Sequence, residues 1–101
     1  MAIGTKLSED GNILVIKIKG KFDFSLLSEF RQTYCDDSIA PNKYIVDMRD
    51  TSTIDSSALG MLLNMQRHLK LPDGNIKIIN CNKVVQKVLL ITNFNKKFTI
   101  E

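Results

Sequence analysis

The sequence predicts a single α/β domain: a mixed, mostly parallel sheet of about five strands packed with three or four helices. Three observations predict it. Strand-like and helix-like apolar patterns alternate along most of the chain, the order of a sheet built from crossover units. An Asp10-Gly11 pair separates two strand-like runs near the N-terminus and adds one hairpin. The chain has 101 residues without a repeat, a linker or a low-complexity segment, which suits one domain over residues 1–101.

The elements follow in order. Residues 5–19 read as the hairpin, with Asp10-Gly11 as a type I′ turn. After it, Leu14, Ile16 and Ile18 alternate with Val15, Lys17 and Lys19, a strand with one face buried. Gly20 is expected to end that strand. Asp23 and Ser25 offer capping oxygens for a helix in which Leu27, Phe30 and Tyr34 form an apolar stripe. Asp36-Asp37-Ser38 and Pro41 close it. Tyr44-Ile45-Val46-Asp47-Met48 is more continuously apolar and is predicted to be a central strand. Arg49-Asp50-Thr51-Ser52-Thr53 reads as a polar loop. A second helix opens at Asp55-Ser56-Ser57, with Ala58, Leu62, Met65 and Leu69 facing the core. Pro72-Asp73-Gly74 is a turn. Ile76, Ile78 and Ile79 form a strand, Val85, Val88, Leu89 and Thr92 a last helix, and Phe98-Thr99-Ile100 a short final strand.

Composition excludes several classes. Hydrophobic residues at 44% and charged residues at 25% are ordinary for a folded soluble protein and argue against disorder. The net charge of +3 comes late in the chain. Beyond position 69, Lys70, Lys77, Lys83, Lys87, Lys96 and Lys97 face only Asp73 and Glu101. These lysines are scattered and lack arginine or aromatic partners, so no nucleic-acid surface is expected. The two cysteines, Cys35 and Cys81, have no metal-type spacing, and each defaults to a buried small hydrophobe. The residues after Met1 show no basic stretch followed by an apolar one, and apolar runs are far short of the ~20 residues that span a bilayer. The reading is a cytoplasmic protein without membrane insertion.

The informative stretch runs from Tyr44 to Leu63. The first amides of a helix lack internal partners, and with the helix dipole they tolerate an anion. A serine there is reachable by a kinase, and its phosphate would meet N–H donors instead of disrupting the fold. The modification adds about −1.5 to −2 charges. With Asp55 adjacent, the surface would turn strongly negative and repel a partner fitted to a neutral hydroxyl. On local chemistry alone, a plain capping role for Ser56 is the commoner case.

The string Asp55-Ser56-Ser57-Ala58-Leu59-Gly60, following Ile45-Val46-Asp47-Met48, resembles the signature of the STAS family. It is most similar to the bacterial anti-sigma-factor antagonists, whose motif usually reads Asp-Ser-Ser-Gly-Leu-Gly. Gly20-Lys21-Phe22-Asp23 resembles the family's glycine–x–apolar–aspartate segment. Val88-Leu89-Leu90-Ile91-Thr92-Asn93-Phe94 is similar to its closing helix and turn. The resemblance covers nearly the whole chain.

It implies a mechanism that the residues alone do not show. Ser56 would be phosphorylated by a partner that is both serine kinase and anti-sigma factor. The unphosphorylated form would bind that partner, and a PP2C-type phosphatase would reverse the mark. Asp23, Asp55, Ser57 and Ala58 would form the switch surface with Ser56. Ala58 stands where the family usually has glycine; it stiffens the helix start and could narrow a partner's approach. The alternative within the resemblance is an accessory subunit of a lipid-transport ATPase, without a phosphorylation cycle.

Catalysis is not expected. A nucleophilic Ser56 needs a base within about 3 Å. The single histidine, His68, lies about 18 Å along the same helix at 1.5 Å per residue. It is expected to be solvated. No metal or other cofactor is expected: a zinc site lacks ligands, nucleotide-binding glycine loops are absent, and Asp47, Asp50 and Asp55 read as solvated loop acids. Phe22 and Phe24 bracket Asp23, and fit either a partner-binding patch or helix-entry packing.

Overall fold

The computed structural model describes residues 2–72 and 74–101. Its strands are β1 (Ile3–Leu7), β2 (Ile13–Ile18), β3 (Gly20–Phe22), β4 (Lys43–Asp47), β5 (Thr51–Ile54), β6 (Ile76–Ile79) and β7 (Thr99–Ile100). Its helices are α1 (Leu27–Tyr34), α2 (Ser56–Leu69) and α3 (Lys83–Ile91), with short 3-10 turns at Phe24–Leu26 and Phe94–Lys96. No described helix is long and apolar enough to cross a membrane.

Five strands form one sheet in the order β1-β2-β4-β6-β7. β1 runs antiparallel to β2, and the other neighbours are parallel. This is the mixed, mostly parallel sheet that the alternating pattern predicts, with β4 at its centre. Leu14, Ile16 and Ile18 of β2 are buried, while Lys17 on the same strand is exposed. The alternation therefore reads the core face correctly. On α2, Ala58, Leu62 and Met65 are fully buried, and Leu69 packs against the core at the helix end. Lys70 then closes the helix in the left-handed conformation.

Four local expectations are corrected. The hairpin turn is not a two-residue type I′ turn. Only Gly11 has positive φ (+75°), and the Ser8 amide bonds to the Ile13 carbonyl across a longer loop. Asp10 organises that loop by accepting from the Ser8 hydroxyl and the Asn12 amide, a local alternative to the primed turn. Gly20 does not simply end β2. Its positive φ (+82°) turns the chain into β3. The supposed loop at Thr51–Thr53 belongs to β5, which pairs in parallel with β3. Its cohesion comes from tertiary bonds: the buried Thr51 hydroxyl donates to the Ile18 carbonyl at 2.7 Å, and the Gly20 amide to the Asp50 carbonyl at 2.9 Å. Finally, Cys35 is exposed, at the C-cap of α1. Cys81 is partly buried, and that burial pushes its thiol pKa up. The turn expected at Pro72-Asp73-Gly74 includes Asp73, which lies outside the described residues.

α3 is tied to β5 through Asn82. The Asn82 side chain accepts from the Val85 amide at 2.8 Å and donates to the Thr51 and Ser52 carbonyls. Removing a capping side chain costs about 0.5–2 kcal/mol. Asn82→Ala also unties two carbonyls, so the upper part of that range is expected. Chemical denaturation with an unchanged slope would check it.

Candidate functional site

The β3–β5 pair builds the site. In its register Phe22 lies opposite Ile54. The residues that follow, Asp23 and Asp55, therefore leave neighbouring strand ends side by side, on strands about 4.8 Å apart. Both aspartates then cap the next helical turn, Asp55 through the amide three residues on and Asp23 through the amide two residues on. Asp55 Oδ1 accepts from the Ala58 amide at 3.0 Å and from the Ser57 hydroxyl at 2.6 Å. Asp23 Oδ1 accepts from the Ser25 amide at 3.0 Å and from the Ser25 hydroxyl. Asp23 caps only the 3-10 turn, and α1 proper begins at Leu27.

Asp55, not Ser56, is thus the cap of α2. Ser56 is the first helical residue and is exposed, and its hydroxyl makes no hydrogen bond among the described residues. The amides of Ser56 and Ser57 have no acceptor within the helix, by the geometry of its first turn. Ser57 differs: it is half-buried, and its hydroxyl is engaged by Asp55.

Ala58 is fully buried. Its Cβ points into the core, so the expectation that it narrows a partner's approach is corrected. The methyl group fills core space and does not face outward. Phe22 and Phe24 also separate. Phe22 is fully buried against Phe30, with ring centroids 5.2 Å apart, whereas Phe24 is 65% exposed. Of Asp47, Asp50 and Asp55, which read as solvated loop acids, Asp47 is instead engaged by protein donors. That carboxylate is held by the Asn80 side chain and the Arg49 amide, both at 3.0 Å.

The Asp55 carboxyl lies below the ordinary aspartate value of 3.8, chiefly because of the Ser57 hydroxyl and then the Ala58 amide. A folded value below the unfolded one stabilises the protein above pH 3.8. That contribution is lost as the pH falls through the folded value. In a carbon-13 NMR titration, the Asp55 midpoint is expected below 3.8, and Ser57→Ala should move it upward. A wild-type midpoint at or above 3.8 would contradict the capping geometry.

A groove of about 460 Å³ runs between α1 and α2, starting beside Ser57 and Phe24. Its walls are two rows at four-residue spacing, Leu27–Arg31–Cys35 and Gly60–Asn64–His68. The far end is closed by His68, whose ring packs edge-on against Tyr34 at 5.4 Å, with Nε2 3.8 Å from Cys35 Sγ. His68 is exposed, yet it is engaged by these neighbours and is not merely solvated. Sequence reasoning missed the groove. The matching rows on two helices were a possible signal, but only the packing of α1 on α2 shows that they face each other.

A mixed five-stranded sheet with three helices is the fold shared with the anti-sigma factor antagonist SpoIIAA. Against unphosphorylated SpoIIAA the TM-score is 0.79, with 20% identity over 99% of this chain and 88% of that one. Against the phosphorylated form of the Bacillus protein it is 0.66, with 17% identity over 99% and 91%. The STAS domain model matches residues 5–101. A STAS-domain containing protein of Pseudomonas aeruginosa strain UCBPP-PA14 is 43% identical over 100 residues, covering 99% of both chains. The chain belongs to the STAS domain family.

Proposed function

We propose that this protein is a phosphorylation-controlled partner-switching regulator without catalysis of its own. Its unphosphorylated form binds a serine-kinase, anti-sigma-type protein. Phosphorylation of Ser56 by that partner weakens the binding, and a PP2C-type phosphatase restores it. The observation that carries this reading is the placement of Ser56. It is exposed, its hydroxyl is unengaged, and it opens a helix whose cap is supplied by a different residue. A phosphate on Ser56 can therefore form without displacing the Asp55 cap, next to amides that lack helical acceptors.

Asp23 and Asp55 at the neighbouring strand ends make the same spot strongly negative once the phosphate is added. The partner-facing surface comprises Asp23, Asp55, Ser56 and Ser57, with exposed Phe24 as its apolar contact. SpoIIAA, whose fold this chain shares, has been solved in unphosphorylated and phosphorylated forms, which supports the reading.

The test is a quantitative pull-down from the native cell with wild type, Ser56→Ala and Ser56→Asp as baits. A serine-kinase-like protein retained by the first two and lost with the third is expected. Incubation of that kinase with ATP should then add one phosphate to wild type and none to Ser56→Ala. Equal recovery of a transporter ATPase by all three baits would instead favour the accessory-subunit alternative.

A further inference from the structure

Beside its buried row, α3 carries a second apolar row on its outer face. Val85 and Leu89 are fully buried, and they account for the inner face. On the outer face, Val84 and Ile91 are 60% and 68% exposed, with half-buried Val88 between them. Their spacing of four and then three residues is the seam by which one helix packs along another. At 1.5 Å per residue the seam runs about 10 Å, or two helical turns.

The seam is preorganised. Asn82 anchors the start of α3, and the Thr92 hydroxyl donates to the Val88 and Leu89 carbonyls at its end. Exposure of these side chains therefore does not reflect a fraying helix.

The charge around the seam is one-sided. From Gly74 to Ile100 the chain carries five lysines and no acidic residue. Lys77 is bridged to Glu101 at 3.6 Å. Lys83, Lys87, Lys96 and Lys97 are exposed and have no ion-pair partner among the described residues. Lys83 and Lys87 form a row four residues apart beside the seam. Lys87, directly before Val88, holds the flanking position where paired helices match opposite charges.

We propose that the outer face of α3 docks an acidic amphipathic helix of a protein partner, its apolar row on Val84, Val88 and Ile91 and its carboxylates on Lys83 and Lys87. A second copy of this chain fits poorly, because a two-fold pairing of this face brings lysines against lysines. A bilayer surface calls for a broad apolar face with aromatic residues at headgroup depth. The exposed apolar side chains of α3, Val84, Leu90 and Ile91, with half-buried Val88, make a narrow face and include no aromatic residue. This surface goes beyond the switch and stands whether or not Ser56 is modified.

The test is an NMR titration of the full-length, nitrogen-15-labelled protein with two synthetic helical peptides. Both carry leucine at the a and d positions. One has glutamate at e and g, and the other has lysine there. With the glutamate peptide, amide shifts centred on Val84, Lys87, Val88 and Ile91 are expected, and binding about tenfold tighter than with the lysine peptide. The double variant Lys83→Glu/Lys87→Glu should reverse that preference. Ile91→Gln, a neutral change at an exposed position, should abolish binding with little change in the melting temperature. Three results would each overturn the proposal: equal response to both peptides, shifts centred elsewhere, or no shifts at millimolar peptide. Retention on phosphatidylglycerol vesicles without peptide binding would also overturn it and assign the face to a membrane surface.

Discussion

Ser56→Asp is expected to weaken binding of the kinase-type partner while leaving the fold slightly more stable. The two effects have opposite signs because they have different origins. At the first position of α2, a carboxylate sits at the positive end of the helix dipole, worth about 0.3–1 kcal/mol. In the proposed interface, the same charge would add to Asp23 and Asp55 and be desolvated opposite a partner fitted to a hydroxyl. Like-charge juxtaposition of that kind costs several kcal/mol. A loss of affinity of at least about tenfold, or 1.4 kcal/mol, is therefore expected.

Ser56→Ala should bind like wild type and remain within about 0.5 kcal/mol of its stability, because the side chain is exposed and the cap belongs to Asp55. Calorimetric titration against the partner and thermal melts of all three proteins measure both halves. Equal affinity for Ser56→Ala and Ser56→Asp would remove the switch.

The largest loss of stability is expected from Phe22→Ala. Phe22 is fully buried at the end of β3 and packs on Phe30, which in turn meets Tyr34 edge-on at 5.7 Å. Truncating a buried phenylalanine costs about 3–5 kcal/mol. In a domain of this size each kcal/mol lowers the melting temperature by roughly 4–8 °C. The variant should therefore melt at least ten to twenty degrees lower, or be largely unfolded, roughly in line with those values. Phe22→Leu keeps most of the volume and should lose much less.

The comparison with Phe24→Ala separates packing from recognition. Phe24 is only two residues away but is 65% exposed. Its truncation should leave the melting temperature nearly unchanged and weaken partner binding. A large destabilisation from Phe24→Ala, or none from Phe22→Ala, would contradict the difference in burial at this strand end.

Much of this was readable along the chain, because it depends on neighbours in sequence. The alternation of Leu14, Ile16 and Ile18 sets the inner face of β2, and the apolar run ending at Met48 marks the central strand. The Asp55-Ser56-Ser57 start of α2 is also local, since a cap needs only a side chain and an amide three residues on. Sequence reasoning found that start and the serine within it.

What only the tertiary structure decided involves residues far apart. β3 and β5 have three and four residues, too few to carry a pattern of their own. They exist because each pairs with the other, with Thr51 and Gly20 holding the ends. That pairing, not the spacing of 32 positions between them, brings Asp23 beside Asp55. Burial is equally non-local. Nothing in the local pattern distinguishes Phe22 from Phe24, and the stripe that turns Ala58 toward the core does not say what covers it. The packing of α1 on α2 and of α3 on β5 settles each of these, because exposure depends on which distant element covers a side chain.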